Sequence, residues 1–184
     1  QVVVGGPNLE QDFWISEFRR WTTSCPELFG RFIYVPIPDI DLLRMQAIGA
    51  DICLNIPRPL EEACGTSQQR TQLNGGINIA LRGAGFVESI TDYNEETGEG
   101  DGFLLDSYTK QVGNEVVADF KLFYSKAPAD IFKKCEIAAR LYYFERNKWK
   151  HMMYNSYLAS PKVTAEAVEL RYADKAYNLA IERR

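Results

Sequence analysis

The segment Glu62-Ala63-Cys64-Gly65-Thr66-Ser67-Gln68-Gln69-Arg70 gathers residue types suited to recognising a polar ligand: a carboxylate, a glycine, two hydroxyls and an arginine, with Glu61 just before it. It reads as a tight polar turn feeding a short helix that runs to Asn74-Gly75-Gly76. Gly65 lets a backbone come close to a ligand, and either Thr66 or Ser67 can cap the helix. The first turn of a helix presents unpaired N–H groups and a partial positive charge, so Thr66 and Ser67 could cradle a phosphate there. An ordinary cap needs no ligand. Arg70, one turn further on, has two open readings: a bidentate donor to phosphate, or a structural salt bridge with Glu61 or Glu62. Taken alone, Glu62 is first a solvated loop carboxylate beside Glu61. Arg58 and Arg82 flank the same region and add positive potential, although most surface arginines are only solvated.

Apolar strands deliver the chain to this turn and take it away. Ile52, Leu54 and Ile56 precede it and Ile77, Ile79 and Leu81 follow. Upstream, Val2 to Val4 is a strand closed by Gly5, Gly6 and Pro7. Phe13, Trp14, Phe18 and Trp21 then recur at helical spacing up to Ser24, Cys25 and Pro26, an aromatic stripe of the kind that packs into a core. Arg31 to Ile37 is the next strand. Pro38 and Asp39 open a helix through Leu42, Leu43, Met45 and Ala47 to Gly49, and Asp51 to Asn55 is a third strand. Helices alternating with continuous apolar strands predict an α/β fold, a Rossmann-like parallel sheet with helices on both faces. Ligands of such sheets bind beyond the carboxyl ends of the strands, which is where residues 62–70 fall.

Past the fourth strand, Asn94 to Gly102 is an acidic, glycine-rich loop expected to be exposed and mobile. Phe103-Leu104-Leu105 adds a short strand. The remainder reads as helix: Asp130 to Phe144, Lys148 to Leu158 and Thr164 to Ile181. The expected organisation is one domain over 1–184, an α/β sheet core over 1–110 followed by a mainly helical segment over 111–184, without internal repeats.

The chain has 184 residues, 46% hydrophobic and 25% charged, with a formal net charge of −4 and a pI near 5.2. That acidic balance argues against nucleic acid and anionic membranes as partners. Cys25, Cys53, Cys64 and Cys135 are scattered, without the close pairing of a zinc site, and are read as reduced thiols of a cytoplasmic protein. His151 is the sole histidine, which leaves metal and triad readings without support and makes it a surface residue. No apolar run is long enough to cross a bilayer. A chain that opens inside a strand suggests a fragment, or a domain that continues upstream.

Glu62-Ala63-Cys64-Gly65-Thr66-Ser67-Gln68-Gln69-Arg70, followed by Asn74-Gly75, resembles the Glu-Ala-Ser-Gly-Thr-Ser/Gly-x-Met-Lys turn and Asn-Gly of the α-glucan phosphorylases (glycogen, starch and maltodextrin phosphorylases). Further blocks are similar to that family in the same order: Asp39-Ile40-Asp41-Leu42-Leu43, Ala50-Asp51-Ile52-Cys53-Leu54-Asn55, Asn78-Ile79-Ala80-Leu81 through Phe86-Val87-Glu88, and Trp149, Met153, Asn155, Ser160, Lys162-Val163 and Tyr172. The resemblance implies the C-terminal Rossmann-like half of a two-domain GT-B glycosyltransferase. It also implies that Glu62 would hydrogen-bond a glucosyl hydroxyl, with Ala63, Cys64 and Gly65 contributing backbone N–H groups, and that Thr66, Ser67 and Arg70 would meet a phosphate.

The departures surround the cofactor. The family's final lysine carries pyridoxal phosphate as a Schiff base, and Arg70 stands there; a guanidinium stays charged and is a poor imine former, so no cofactor is expected. The family's Asn-Tyr is Ile37-Pro38 here, its Gly-Lys-Ala-His-Pro is Gly5-Gly6-Pro7-Asn8-Leu9, and its basic phosphate-gripping segment has no counterpart in the chain. Three functions follow as expectations. The first is the C-terminal lobe of a phosphorylase-like glucosyltransferase acting on α-glucan or glucose phosphate, with a missing N-terminal lobe or partner chain. The second is a non-catalytic glucan-binding or protein-binding descendant, an allosteric or structural pseudoenzyme domain. The third is a nucleotide-sugar-dependent glucosyltransferase using the same turn for a diphosphate.

Overall fold

The computed structural model describes residues 1–5, 12–35 and 39–177, and the chain gathers into two compact units, Gln1–Gly49 and Ala50–Arg184. In the first, strands β1 (Val2–Gly5) and β2 (Phe32–Val35) run parallel, with Val2 opposite Phe32 and Gly5 opposite Val35. Helix α1 (Asp12–Ser24) connects them through a short 3-10 turn, Pro26–Leu28. Of the α1 stripe, the Phe18 ring stacks on Phe32 and Tyr34 at centroid separations of 5.3 and 5.8 Å and meets Trp21 edge-on at 5.5 Å, while Trp21 stays 40% exposed rather than entering a core. Helix α2 (Ile40–Gly49) begins where the Asp39 carboxylate accepts the N–H of Asp41 at 3.0 Å.

The second unit is built on three parallel strands, β3 (Ile52–Asn55), β4 (Ile77–Ala80) and β5 (Gly102–Leu104), in that spatial order. Ile52 lies opposite Ile77, and Asn78 opposite Gly102. Helix α3 (Ser67–Leu73) makes the crossover from β3 to β4. As the middle strand, β4 is inaccessible along its whole length, which explains a sequence apolar at every position but Asn78. Helices α4 (Phe120–Phe144) and α5 (Arg146–Ala159) complete the core, α5 packing on α3 and β4. Phe86, Phe103, Leu141, Trp149 and Met152 are buried there, each such side chain contributing roughly 1.5–3 kcal/mol. Trp149 meets Tyr142 edge-on at 5.4 Å, and the Ser156 hydroxyl donates to the Gly76 carbonyl at 2.8 Å.

The expected parallel α/β architecture with a helical C-terminal segment is present, with three local differences. A β-hairpin, β6 (Thr109–Val112) and β7 (Glu115–Ala118), turns through Gly113-Asn114 where no strand was expected. Gly113 has φ +60°, the left-handed geometry that two-residue hairpin turns require. Helix α4 starts at Phe120, ten residues before the expected Asp130, because Asp119 caps it by accepting the Leu122 N–H at 3.1 Å. It carries Pro128 inside, a residue that has no N–H to give to the helix ladder.

The acidic loop is at the surface over 94–99, as expected, but Gly100, Asp101 and Gly102 are buried where the chain enters β5, and its tip is closed by its own hydrogen bonds. The Asn94 side chain accepts the Glu96 and Thr97 N–H groups at 2.8 and 3.2 Å, and the Asn94 N–H donates to the Glu99 carbonyl at 2.8 Å. Helix α6 (Ala165–Tyr172) passes into a π turn, Ala173–Tyr177. The expected strand end at Ile37, the Gly6-Pro7 turn, the helix opening at Pro38 and the last helix end at Ile181 lie outside the described residues.

Replacing Ile79 by Ala on the buried strand should cost about 2–5 kcal/mol in urea unfolding. Tyr108 supports a second test: its ring is buried edge-on to Phe123 and its hydroxyl donates to Asp130 Oδ2 at 2.8 Å. Burial, and then the hydrogen bond and charge of Asp130, push its pKa well above the ordinary value. A raised folded-state pKa contributes stability that is complete below the unfolded value of about 10 and lost as pH climbs above it. Stability should therefore fall less steeply between about pH 9 and 11 in Tyr108→Phe than in the parent.

Candidate functional site

Residues 62–70 lie at the carboxyl end of the β3-β4-β5 sheet. Asn55 closes β3 and is buried, and its carboxamide links three segments: Oδ1 accepts the Ser67 hydroxyl, and Nδ2 donates to Asn78 Oδ1 at 2.8 Å. Asn78 Nδ2 in turn donates to the Gln68 carbonyl at 3.2 Å. Two asparagines in apolar strands thus fix the first turn of α3 against β3 and β4, as buried amides require partners.

The turn itself is held from the loop after β4. The Gly65 N–H donates to the Ala84 carbonyl at 2.8 Å. A Cβ on Gly65 would stand 2.5 Å from Phe86 Cε1 and 3.0 Å from Glu62 Oε1, so the glycine admits both the Phe86 ring and the Glu62 carboxylate. Opposite it, Gly85 faces Cys64: a Cβ there would stand 2.7 Å from the thiol sulfur. Glu62, Ala63, Cys64, Thr66 and Arg70 are exposed, Ser67 is half-buried and Gly65 is buried.

This geometry revises several atomic expectations. Thr66 holds the cap position, but neither it nor Ser67 makes a side-chain cap hydrogen bond; the Ser67 hydroxyl points inward to Asn55 instead. The Gly65 N–H is engaged by protein, whereas the N–H groups of Ala63 and Cys64 have no protein acceptor among the described residues. Arg70 forms no salt bridge with Glu61 or Glu62; Glu61 pairs with Arg58 at 3.1 Å, and the Arg58 guanidinium lies 4.9 Å over the Phe120 ring. The segment therefore presents an exposed carboxylate, two backbone donors, an exposed hydroxyl and an exposed guanidinium that have no protein partner among the described residues.

Asn55, Asn78, Ala84 and Phe86 are the residues that hold this segment, and none was singled out as a site residue from sequence. The signal was present in the asparagines, since a carboxamide inside an apolar strand must find a partner. Each loop leaving the carboxyl edge also contains a non-glycine residue in the left-handed region: Leu60 (φ +62°), Ala84 (φ +49°) and Tyr108 (φ +49°). Such conformations cost on the order of 1–3 kcal/mol each and concentrate at functional edges. His151 is exposed, 3.4 Å from Glu99 Oε2. All four cysteines are free thiols. Among the described residues no group of three acidic, histidine or cysteine side chains could hold a metal, and no helix is long and apolar enough to cross a membrane.

No protein-family model matches the chain. It is related in sequence to GT-B glycosyltransferases that include phosphorylases and glycogen synthases. Maltodextrin phosphorylase of Thermococcus litoralis is 26% identical over 186 aligned residues, 98% of this chain and 21% of that protein. Glycogen phosphorylase of Mycobacterium tuberculosis is 43% identical over 58 residues, 31% of this chain and 7% of that protein. Glycogen synthase of Thermotoga petrophila is 27% identical over 156 residues, 85% of this chain and 27% of that protein. The chain thus spans about a fifth of the length of the maltodextrin phosphorylase it matches.

Gly65→Ala should destabilise the protein by about 1–3 kcal/mol through collision with Phe86, and Phe86→Leu in the same chain should recover part of that loss. Thermal unfolding of the two single variants and the double variant tests this coupling.

Proposed function

We propose that this chain is the sugar-binding and phosphate-binding domain of a phosphorylase-like glucosyltransferase working on α-glucan or glucose phosphate. The observation that carries the reading is the Glu62–Arg70 turn, pinned by Ala84 and Phe86 at the carboxyl edge of a parallel sheet. Glu62 accepts from a glucosyl hydroxyl, and Ala63 and Cys64 donate through their free N–H groups. Gly65 shapes the floor. Thr66, the Ser67 backbone and Arg70 face the phosphate, for which a guanidinium is a planar, two-pronged donor.

The residues do not fit pyridoxal phosphate. Residues 62–76 contain no lysine, and Arg70 is no source of an imine nitrogen. No step is assigned to that cofactor, and glucosyl transfer in the absence of its phosphate would need a different acid and base. The same substitution favours a second reading, a domain that binds glucan or a protein partner without turnover. A third, transfer from a nucleotide sugar, draws support from the matches to glycogen synthases. A second GT-B lobe, on a longer chain or a partner, and a cytoplasmic setting belong to the proposal.

Calorimetric titration with maltotriose, glucose 1-phosphate, UDP-glucose and ADP-glucose separates these. Binding of maltotriose and glucose 1-phosphate, both weakened at least tenfold by Glu62→Gln, is the expected result. Binding of a nucleotide sugar alone would favour the third reading, and silence toward every sugar would remove the first. Incubation with pyridoxal phosphate and borohydride should leave no covalent adduct on residues 62–76.

A further inference from the structure

Asp92 is shared by two cations. Its Oδ1 accepts the Leu104 N–H at 2.9 Å and lies 3.2 Å from Lys134 Nζ, while Oδ2 is 3.6 Å from Arg82 Nη2. The second distance is a loose ion pair beyond hydrogen-bonding reach. No hydrogen bond to the Arg82 guanidinium exists among the described residues, and its side chain is 51% exposed. One carboxylate facing two cations leaves a positive charge in excess.

That excess stands at the functional edge. Arg82 lies two residues beyond the end of β4 and two residues before Ala84, whose carbonyl holds Gly65. Lys134 reaches over from α4, with its ammonium 5.5 Å from the centre of the Phe103 ring in β5. Both cations therefore belong to elements that border the Glu62–Arg70 turn or its sheet. The other arginine on the flank, Arg58, is already paired with Glu61 and stacked on Phe120.

We propose that Arg82, supported by Lys134, forms an anion subsite at the carboxyl edge that takes a phosphate monoanion or dianion, either inorganic phosphate or the phosphate of a sugar phosphate. The inference rests on the proposed function for the glucan side of the site and adds a residue that supplies charge there. Arg82 turns its open N–H groups to the phosphate oxygens, and Asp92 acts as the internal counter-ion that the ligand displaces from Arg82.

Calorimetry on the 184-residue chain with inorganic phosphate, glucose 1-phosphate and neutral maltotriose tests this. Arg82→Ala should weaken both phosphate probes about tenfold and leave maltotriose unchanged. Asp92→Asn should tighten the phosphate probes several-fold, because asparagine keeps the acceptor for the Leu104 N–H while removing the competing charge. A structural role for Asp92 would give no such gain. An effect of Arg82→Ala on glucose 1-phosphate alone identifies the sugar phosphate as the ligand; an effect on both assigns the subsite to phosphate itself. Unchanged phosphate affinity in Arg82→Ala, or a parent chain that binds neither phosphate probe, overturns the subsite. If maltotriose still binds in that case, the glucan reading stands without it; if maltotriose fails too, that reading falls as well.

Discussion

The hydrogen bond between the side chains of Asn55 and Asn78 is the constraint on which the candidate site depends. It lies where water does not reach, so each amide must be satisfied by protein, and an orphaned partner would cost about 1–3 kcal/mol. Satisfying them brings Ser67 and Gln68 onto the strand ends, which fixes where α3 begins. Residues 62–66 are then confined between that helix start and the loop at Ala84. The exposed segment is a by-product of polar groups that had to be paired inside.

How much of this was legible in the sequence follows from the range of each interaction. Parallel strands and crossover helices were readable because β4 is apolar by burial on both faces and α1 carries its aromatic stripe at helical spacing. The turn at Glu62–Arg70 was readable because its glycine, hydroxyl and acidic residues are local. The first ten residues of α4 were missed because Pro128 precedes the expected start at Asp130, yet it is tolerated inside a long helix that buries Phe123, Ala127, Ala138 and Leu141. The hairpin was missed although Gly113-Asn114 is a turn signal, since its strands alternate only weakly.

Within the site, types were legible and directions were not. Whether the Ser67 hydroxyl caps a helix or meets Asn55 depends on a residue twelve positions away, and whether the Gly65 N–H faces a ligand or Ala84 depends on a loop nineteen positions away. Arg58 rather than Arg70 captured Glu61, since Arg58 is three residues from it in the same turn. Long-range partners of this kind decide which polar groups remain available to a ligand. Among the described residues they leave a carboxylate, two amide donors and the Arg70 guanidinium without a protein partner, a set suited to hydroxyl-rich and anionic ligands.

The left-handed residues Leu60, Ala84 and Tyr108 bear on how the protein would respond to selection. Glycine occupies that conformation without strain, so directed evolution for heat resistance has an easy route at exposed Leu60 and at Ala84, but not at Tyr108, whose ring is buried against Phe123. Each such gain would also slacken a loop bordering the binding edge. A thermostable descendant with glycine at 60 and 84 would trade ligand affinity for melting temperature, and these two codons offer a compact place to watch that exchange.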